Sequence, residues 1–595
     1  MKNKIGKIAC LTLALTCAAS SFAACAGMNP GEQIDLTKTQ LYVGLVPSGY
    51  GNSWLYKAID RFEAAYADYE FEPGTGKKGV EIIVDDVAYG NTIATSLPTA
   101  RYEVVYTEDV NYFDLISKGL LYDMSDMLTE EFADTDANGN AITSTIADKI
   151  AVDYIEEVYT HDGKMYALPF VANDRGIIYD RDLFEEKGYF FIATDPDSND
   201  YKAYKQSNGS YLFGKESDPD TQLSQGRDGK PGTWDDGLPA TYDQFFALFK
   251  QMLTDGVTPI TWSGMYASYY TYWLTGVWAN NEGYDQMLLN YTFDGMANTI
   301  VESVDANGNV TLKDPIKITQ DNGYELYAQA GRYYALEFGD RVIEEMKKDL
   351  KGNTVLFANS VDQQTAQDNF IKSITRAENN SARYSRVAML LEGIHWENEA
   401  SNTFAAMASE DEQMGRMERK FGWMPFPHYA KEESQIDTAP LYLDGSSAMM
   451  FVNGTLKSNK VDIATKFVQF MHTRESLVEF SQITSMIQPF KYEINDAEKA
   501  EMSYFGQDVY NKFSESIKEN GAVKFLEPRA TNELYKKSYT LFSLNSSNNW
   551  ATLSSKLGNT DVPRDALVTC SAKDYFDGVV ARYDKTYWTK NVLGK

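Results

Sequence analysis

Apolar positions near the start of the chain alternate between short runs and helical stripes. Leu41–Val46 is a mostly apolar run, the pattern of a buried strand. Trp54, Leu55, Ala58, Ile59, Phe62 and Tyr66 then recur at helical spacing. Glu81–Val84 and Glu103–Tyr106 read as a second and a third strand. Strand, helix, strand at these lengths predicts a parallel, right-handed α/β unit. Further along, Thr241 with Gln244 three positions on is a capping box. It opens a helix whose buried stripe is Phe245, Leu248, Phe249 and Met252. Asp305-Ala-Asn-Gly-Asn309 predicts a hairpin turn, and Ala464, Phe467, Val468 and Met471 a late amphipathic helix. Neither a repeat of about 20–50 residues nor a low-complexity tract interrupts the pattern.

The first residues follow a different logic. Lys2, Lys4 and Lys7 form a positive segment, and Ile8–Ala19 is an apolar stretch too short to span a bilayer comfortably. Small residues follow, ending in Phe22-Ala-Ala-Cys-Ala-Gly27. The layout predicts a secretory signal over 1–24, and the cysteine after two small residues resembles a bacterial lipobox. That resemblance implies lipidation of Cys25 and a tether over 25–37. The tether reaches at most roughly 45 Å, so the body sits near the outer face of the cell membrane. Cys10 and Cys17 leave with the signal, which makes Cys570 the remaining thiol and removes any intramolecular disulfide.

Length and charge narrow the class. A chain of 595 residues predicts two or more lobes. Lys and Arg number 55 against 85 Asp and Glu, a net charge of −30. Such a surface repels nucleic acid and anionic headgroups and tolerates a neutral or cationic ligand. The chain holds 40 Tyr, a supply of rings with an apolar face and a polar handle.

Five segments, in order, carry a family likeness. They are Leu41–Asn52 leading into a helix with Arg61-Phe-Glu63; Tyr102–Asp109 followed by Gly119–Asp126; Asp162–Phe170 followed by Gly176–Asp180; Leu238–Phe245 followed by Gly256–Ile260; and Ala388–Gly393 with Trp396, followed by Phe421–Pro427. Together they resemble the extracellular solute-binding proteins of carbohydrate ABC importers, family 1, the class that includes maltose-binding protein. The insertion at 191–237 and the tail after 495 match that class less well. The resemblance implies a two-lobed α/β fold of the periplasmic-binding-protein type II. One lobe takes 38–168 with 428–486, the other 169–427 with 487–595. Hinge crossings are expected near Pro169, Pro425-Phe-Pro427 and Gln488-Pro489. It further implies a monomer that passes an oligosaccharide to ABC permease subunits, with no catalysis.

A sugar offers hydroxyls and an apolar C–H face, which call for carboxylates, amides and aromatic rings. The loops that match the family's contact positions supply Tyr50 and Asn52; Asp109 and Asn111; Asn173, Asp174 and Arg175; Trp262, Tyr269 and Tyr270; Trp396; and Asp444. Three other functions compete: a lipid-anchored glycan-active enzyme, a structural or adhesive surface protein, which would need no cleft between lobes, and a peptide-binding importer component. No Gly-x-Ser-x-Gly, His-Glu-x-x-His or Walker loop is present, and His161, His395, His428 and His472 are scattered without metal-ligand spacing. No cofactor is expected. Calcium is considered at Asp134–Asn140, which starts like an EF-hand but has Thr145 at the twelfth position, and at the acidic loop of Asp228, Asp235 and Asp236.

Overall fold

The structure, a computed structural model, describes residues 34–87, 90–108, 110, 112–151, 159–172, 176–193, 201–203, 205–346, 361–381, 384–430, 441–443, 448–518, 523–525 and 571–595. Two main sheets organise them. The first holds β1 (Thr39–Leu45), β2 (Val80–Asp86), β3 (Val104–Thr107) and the short edge strand β4 (Leu168–Pro169). The second holds β5 (Gly176–Asp180), β6 (Thr258–Trp262), β7 (Val387–Leu391) and β8 (Phe421–Pro425). The chain then returns to the first sheet with β9 (Met449–Val452), which inserts between β3 and β4.

The strand–helix–strand pattern folds as the periodicity predicts. β1 pairs in parallel with β2, Leu41 opposite Ile82 and Val43 opposite Val84, and in parallel with β3 on its other edge. The helix Ser53–Ala65 connects β1 to β2 and buries Trp54, Leu55, Ala58, Ile59 and Phe62. β9 runs antiparallel to both β3 and β4. In the second sheet the order is β6, β7, β5, β8, with β6 and β7 parallel and the other pairs antiparallel.

Strands of the second sheet are buried on both faces, and their side chains alternate between two cores as the two-residue period requires. Ile178, Leu390, Phe421 and Trp423 join the core that also holds the first sheet. Ile177, Tyr179, Met389, Leu391 and Met424 join a second core with the helices Tyr242–Thr254, Ala267–Glu282, Ala330–Met346 and Ala572–Arg582. Thr241 caps the first of these helices in the expected box with Gln244.

Asp180, fully buried at the end of β5, ties this lobe together. Its carboxylate accepts the Leu183 N–H at 3.0 Å, capping the helix Arg181–Lys187. It also accepts from Arg386 at 2.8 Å and Arg419 at 2.9 Å, the residues that lead into β7 and β8.

The chain passes between the sheets three times: after β4, between β8 and β9, and between the helices Arg474–Thr484 and Tyr504–Lys518. The last helix lies on β8, where Asp508 accepts the Trp423 N–H at 2.9 Å. No helix among the described residues is long and apolar enough to cross a membrane.

Candidate functional site

The two lobes meet where the segment after β1 faces the segment after β7. Both strands have parallel neighbours, and both segments leave from carboxyl ends, where binding sites of open α/β sheets form. On the first lobe, residues 46–52 turn sharply at Ser48 and Gly51, whose φ values are 34° and 64°. The Ser48 hydroxyl donates to Glu108, the residue after β3. The Trp54 indole N–H donates to the Gly51 carbonyl at 3.2 Å, fixing the turn against the helix that follows.

Tyr50 sits in the contact between the lobes, 4% exposed. Its ring meets Phe170 edge-on at 5.3 Å and His395 at 5.9 Å. Across the contact, the Asn398 amide donates to the Gly49 carbonyl at 2.8 Å. Gly49 has no room for a side chain: a methyl there would lie 2.6 Å from the His395 ring. The first lobe therefore approaches the second through backbone, at a position that only glycine fits without displacement.

Glu392, His395 and Glu399 cluster behind this contact, with one potential ligand atom of each within 4.8 Å of the others. Glu392 is 3% exposed, and burial together with the neighbouring Glu399 carboxylate holds its carboxyl well above the usual range. The Tyr269 hydroxyl and the Gln367 amide act against that rise. Burial lowers the His395 imidazole, and Glu399 opposes the effect. Gln367 on the helix Gln363–Ile371 donates to Glu399 at 2.6 Å, and Gln363 approaches it at 3.5 Å.

Of the residues expected from sequence, Tyr50, Asn52 and Tyr269 stand at or beside this contact. Asn52 closes the turn: its carbonyl accepts the Leu55 and Tyr56 N–H groups, and its side chain makes no capping bond. Two tryptophans are placed elsewhere than expected. Trp262 ends β6 and is fully buried in the second core. Trp396 is also fully buried, enclosed by Phe370, Phe404, Phe421 and Phe505 at 5.1–5.9 Å between ring centres. Neither ring presents a free face to a sugar, because apolar neighbours already occupy its sides. Both are corrected to packing residues in this conformation. Asp109, Asn111, Asn173, Asp174, Arg175, Asp444, Cys25 and the Tyr270 side chain lie outside the described residues.

The site also contains groups that the reading of the sequence passed over: Ser48, Glu108, Gln367, Asn398, and the trio Glu392, His395 and Glu399. The trio had a visible signal. Glutamates stand three before and four after the histidine, a spacing that a search for paired histidines does not see; in the structure Glu399 ends the helix Trp396–Glu399 that His395 precedes, and Glu392 follows β7.

At the calcium candidates, backbone already fills part of each carboxylate's demand. Asp134 pairs with Lys149 and accepts the Arg474 N–H at 2.8 Å, while Thr145 caps a short helix by accepting the Asp148 N–H at 3.0 Å. In the second loop, Asp235 accepts the Arg227 and Asp228 N–H groups at 2.6 and 2.9 Å. Burial pushes Asp228 and Asp236 up to about 6.

No family model matches the chain, and no curated protein does. Solved structures do. A chitin oligosaccharide binding protein is similar over 94% of this chain and 100% of its own, at 13% identity and a TM-score of 0.49. A probable secreted solute-binding lipoprotein from Streptomyces coelicolor is similar over 93% of this chain and 99% of its own, at 11% identity and 0.49. A family 1 extracellular solute-binding protein from Bifidobacterium longum subsp. infantis covers 92% and 99%, at 13% and 0.44. The two-lobed architecture itself rests on the sheets, cores and crossings described above.

Proposed function

We propose that the protein is an extracellular solute-binding lipoprotein that captures an oligosaccharide between its lobes and delivers it to an ABC importer. The observation that carries this reading is the contact between the lobes. Loops from the carboxyl ends of two sheets converge there, bringing Tyr50, Ser48, Glu108, Asn398 and Glu392 together across a chain that crosses three times. A joint of this kind suits hinge closure over a ligand, and the closed form is what a transporter would read.

Two of the remaining expected contacts lie close in sequence to residues of this joint. Glu108, which binds Ser48, directly precedes Asp109, and Phe170, which packs on Tyr50, lies three residues before Asn173. A neutral glycan would satisfy these amides and carboxylates without burying an unpaired charge of its own. Binding rather than turnover is the proposed role, with Cys25 as the lipid anchor.

Calorimetric titration with a panel of neutral oligosaccharides and peptides tests the ligand class. Saturable binding of one glycan without hydrolysis is expected. Turnover of that glycan, or preference for a peptide, would overturn the proposal. Cys25→Ser tests the anchor separately: the protein should move from the membrane fraction to the medium with ligand affinity unchanged, and a variant that stays membrane-bound would remove Cys25 from that role.

A further inference from the structure

The cluster of Glu392, His395 and Glu399 has a deficit that oligosaccharide binding does not address. The Glu392 side chain is 1% exposed, and its Oε2 has no hydrogen-bond partner. His395 Nδ1 is buried without a partner, and so are the side-chain oxygens of Gln363 and Gln367. Among the described residues, neither Glu392 nor Glu399 forms an ion pair with a lysine or arginine; the one cationic candidate is His395, whose Nε2 lies 3.7 Å from Glu392 Oε1. Two carboxylates, an imidazole and two amide oxygens thus meet in one place, and the donors beside them, the Gly393 N–H, the Tyr269 hydroxyl and the two glutamine amides, still leave Glu392 Oε2 and His395 Nδ1 unmatched. Buried polar atoms of folded proteins are nearly always satisfied, so orphaned atoms grouped in one place call for a bound water or ion, and a group made of carboxylate and imidazole atoms favours the ion.

We infer that Glu392, His395 and Glu399 form a binding site for a divalent transition-metal ion, with zinc the best match. The donor set decides the class of ion. One imidazole with two carboxylates suits zinc and its neighbours, whereas calcium and magnesium take oxygen alone. Ligand atoms about 2.0–2.2 Å from a zinc ion stand ~3.3–3.6 Å apart in a tetrahedron. The present spread, within 4.8 Å, needs only small side-chain rotations to reach that. Gln367, held to Glu399 at 2.6 Å, supplies the supporting contact that orients a ligating carboxylate.

The position gives the ion a structural consequence. All three ligands come from the short segment between β7 and the helix Ser401–Glu410. Asn398, which holds the Gly49 carbonyl of the other lobe, lies between two of them, and the His395 ring packs on Tyr50. An ion there orders one wall of the contact between the lobes. Three protein ligands also leave a coordination position open to a water or to an oxygen of a bound molecule.

The test is calorimetric titration of the full chain, stripped with chelator, with zinc chloride alone. Wild type should bind one equivalent, and its thermal midpoint should rise with zinc. His395→Ala and the isosteric, more exposed Glu399→Gln should each weaken zinc binding at least ~100-fold, the upper end of what loss of even a supporting partner costs. X-ray absorption of the loaded protein should show one imidazole nitrogen among oxygen ligands. Absence of a saturable equivalent in wild type overturns the inference. Binding that persists in both variants also overturns it, since the ion would then sit elsewhere, for example on the acidic loop at 228–236. No sugar enters these measurements, so they stand or fall apart from the proposed ligand class.

Discussion

Replacing Trp396 with alanine should damage the fold rather than the ligand contact. The indole is fully buried, and four phenylalanine rings surround it edge-on or nearly so at 5.1–5.9 Å. Its N–H makes no hydrogen bond, so truncation removes packing alone and leaves no polar group stranded. A tryptophan excised from such a site costs about 3–5 kcal/mol, through lost transfer free energy and an incompletely relaxed cavity. The edge-to-face pairs contribute to that figure and are not added to it. Trp396→Phe, which keeps a ring in the cage, should cost less. Urea unfolding followed by circular dichroism gives the stability, and calorimetry on the best ligand gives the affinity of the folded fraction. A variant less than about 1 kcal/mol destabilised but unable to bind ligand would refute this reasoning and return Trp396 to the binding surface.

Two further perturbations separate other contributions. Asp180→Asn leaves Arg386 and Arg419 with only the more exposed Glu186 and Asp182, at 3.4 and 3.8 Å, and breaking a buried ion pair on one side costs about 3–5 kcal/mol; a change below about 1 kcal/mol in urea unfolding would show that these outer carboxylates or water suffice for the guanidiniums. His472 is fully enclosed and donates from Nδ1 to the Val468 carbonyl at 2.7 Å, and burial pushes its imidazole down to about 4. Between that value and the ~6.5 of an unfolded histidine, the unfolded chain holds more protons. Its contribution is therefore complete above ~6.5 and lost as pH falls toward 4, up to about 3 kcal/mol. His472→Gln should flatten that part of the stability–pH curve, and an unchanged slope would show that His472 is not its source.

How much of this was legible in the sequence depends on whether local chemistry or long-range packing decides. The capping box at Thr241 and the buried stripe behind it depend on spacing alone, and they fold as read. The pentapeptide Asp-Ala-Asn-Gly-Asn occurs twice, at 136–140 and 305–309. One copy read as a hairpin turn and the other fell within a possible calcium loop. Both form the same hairpin turn: the aspartate accepts the N–H groups two and four residues on, and the glycine takes φ of 80° or 82°. The pentapeptide sets that geometry, and the wider EF-hand register did not change it. Trp396 shows the opposite case. Its position after β7 fits a contact loop, but Phe505, more than a hundred residues later, closes its last side. No local pattern carries that information. His395 lies between these cases, since its glutamate partners are in reach by spacing, and the lack of a lysine or arginine beside them among the described residues appears only in three dimensions.

The placement of β9 bears on the order in which the chain can mature. β5 to β8 complete the second sheet within residues 176–425, but the first sheet gains its fifth strand, the one that joins β3 to β4, only at Met449–Val452. Until then β4 has no strand beside it, and β3 has an open edge. Closing so long a loop is entropically costly and slow. The nested sheet can therefore form while the outer one is still waiting for its late strand. On the proposed export, a chain leaving the cell from its N-terminus would keep its leading segment unsettled until most of it had crossed, so resistance to proteolysis in the first 170 residues should appear last.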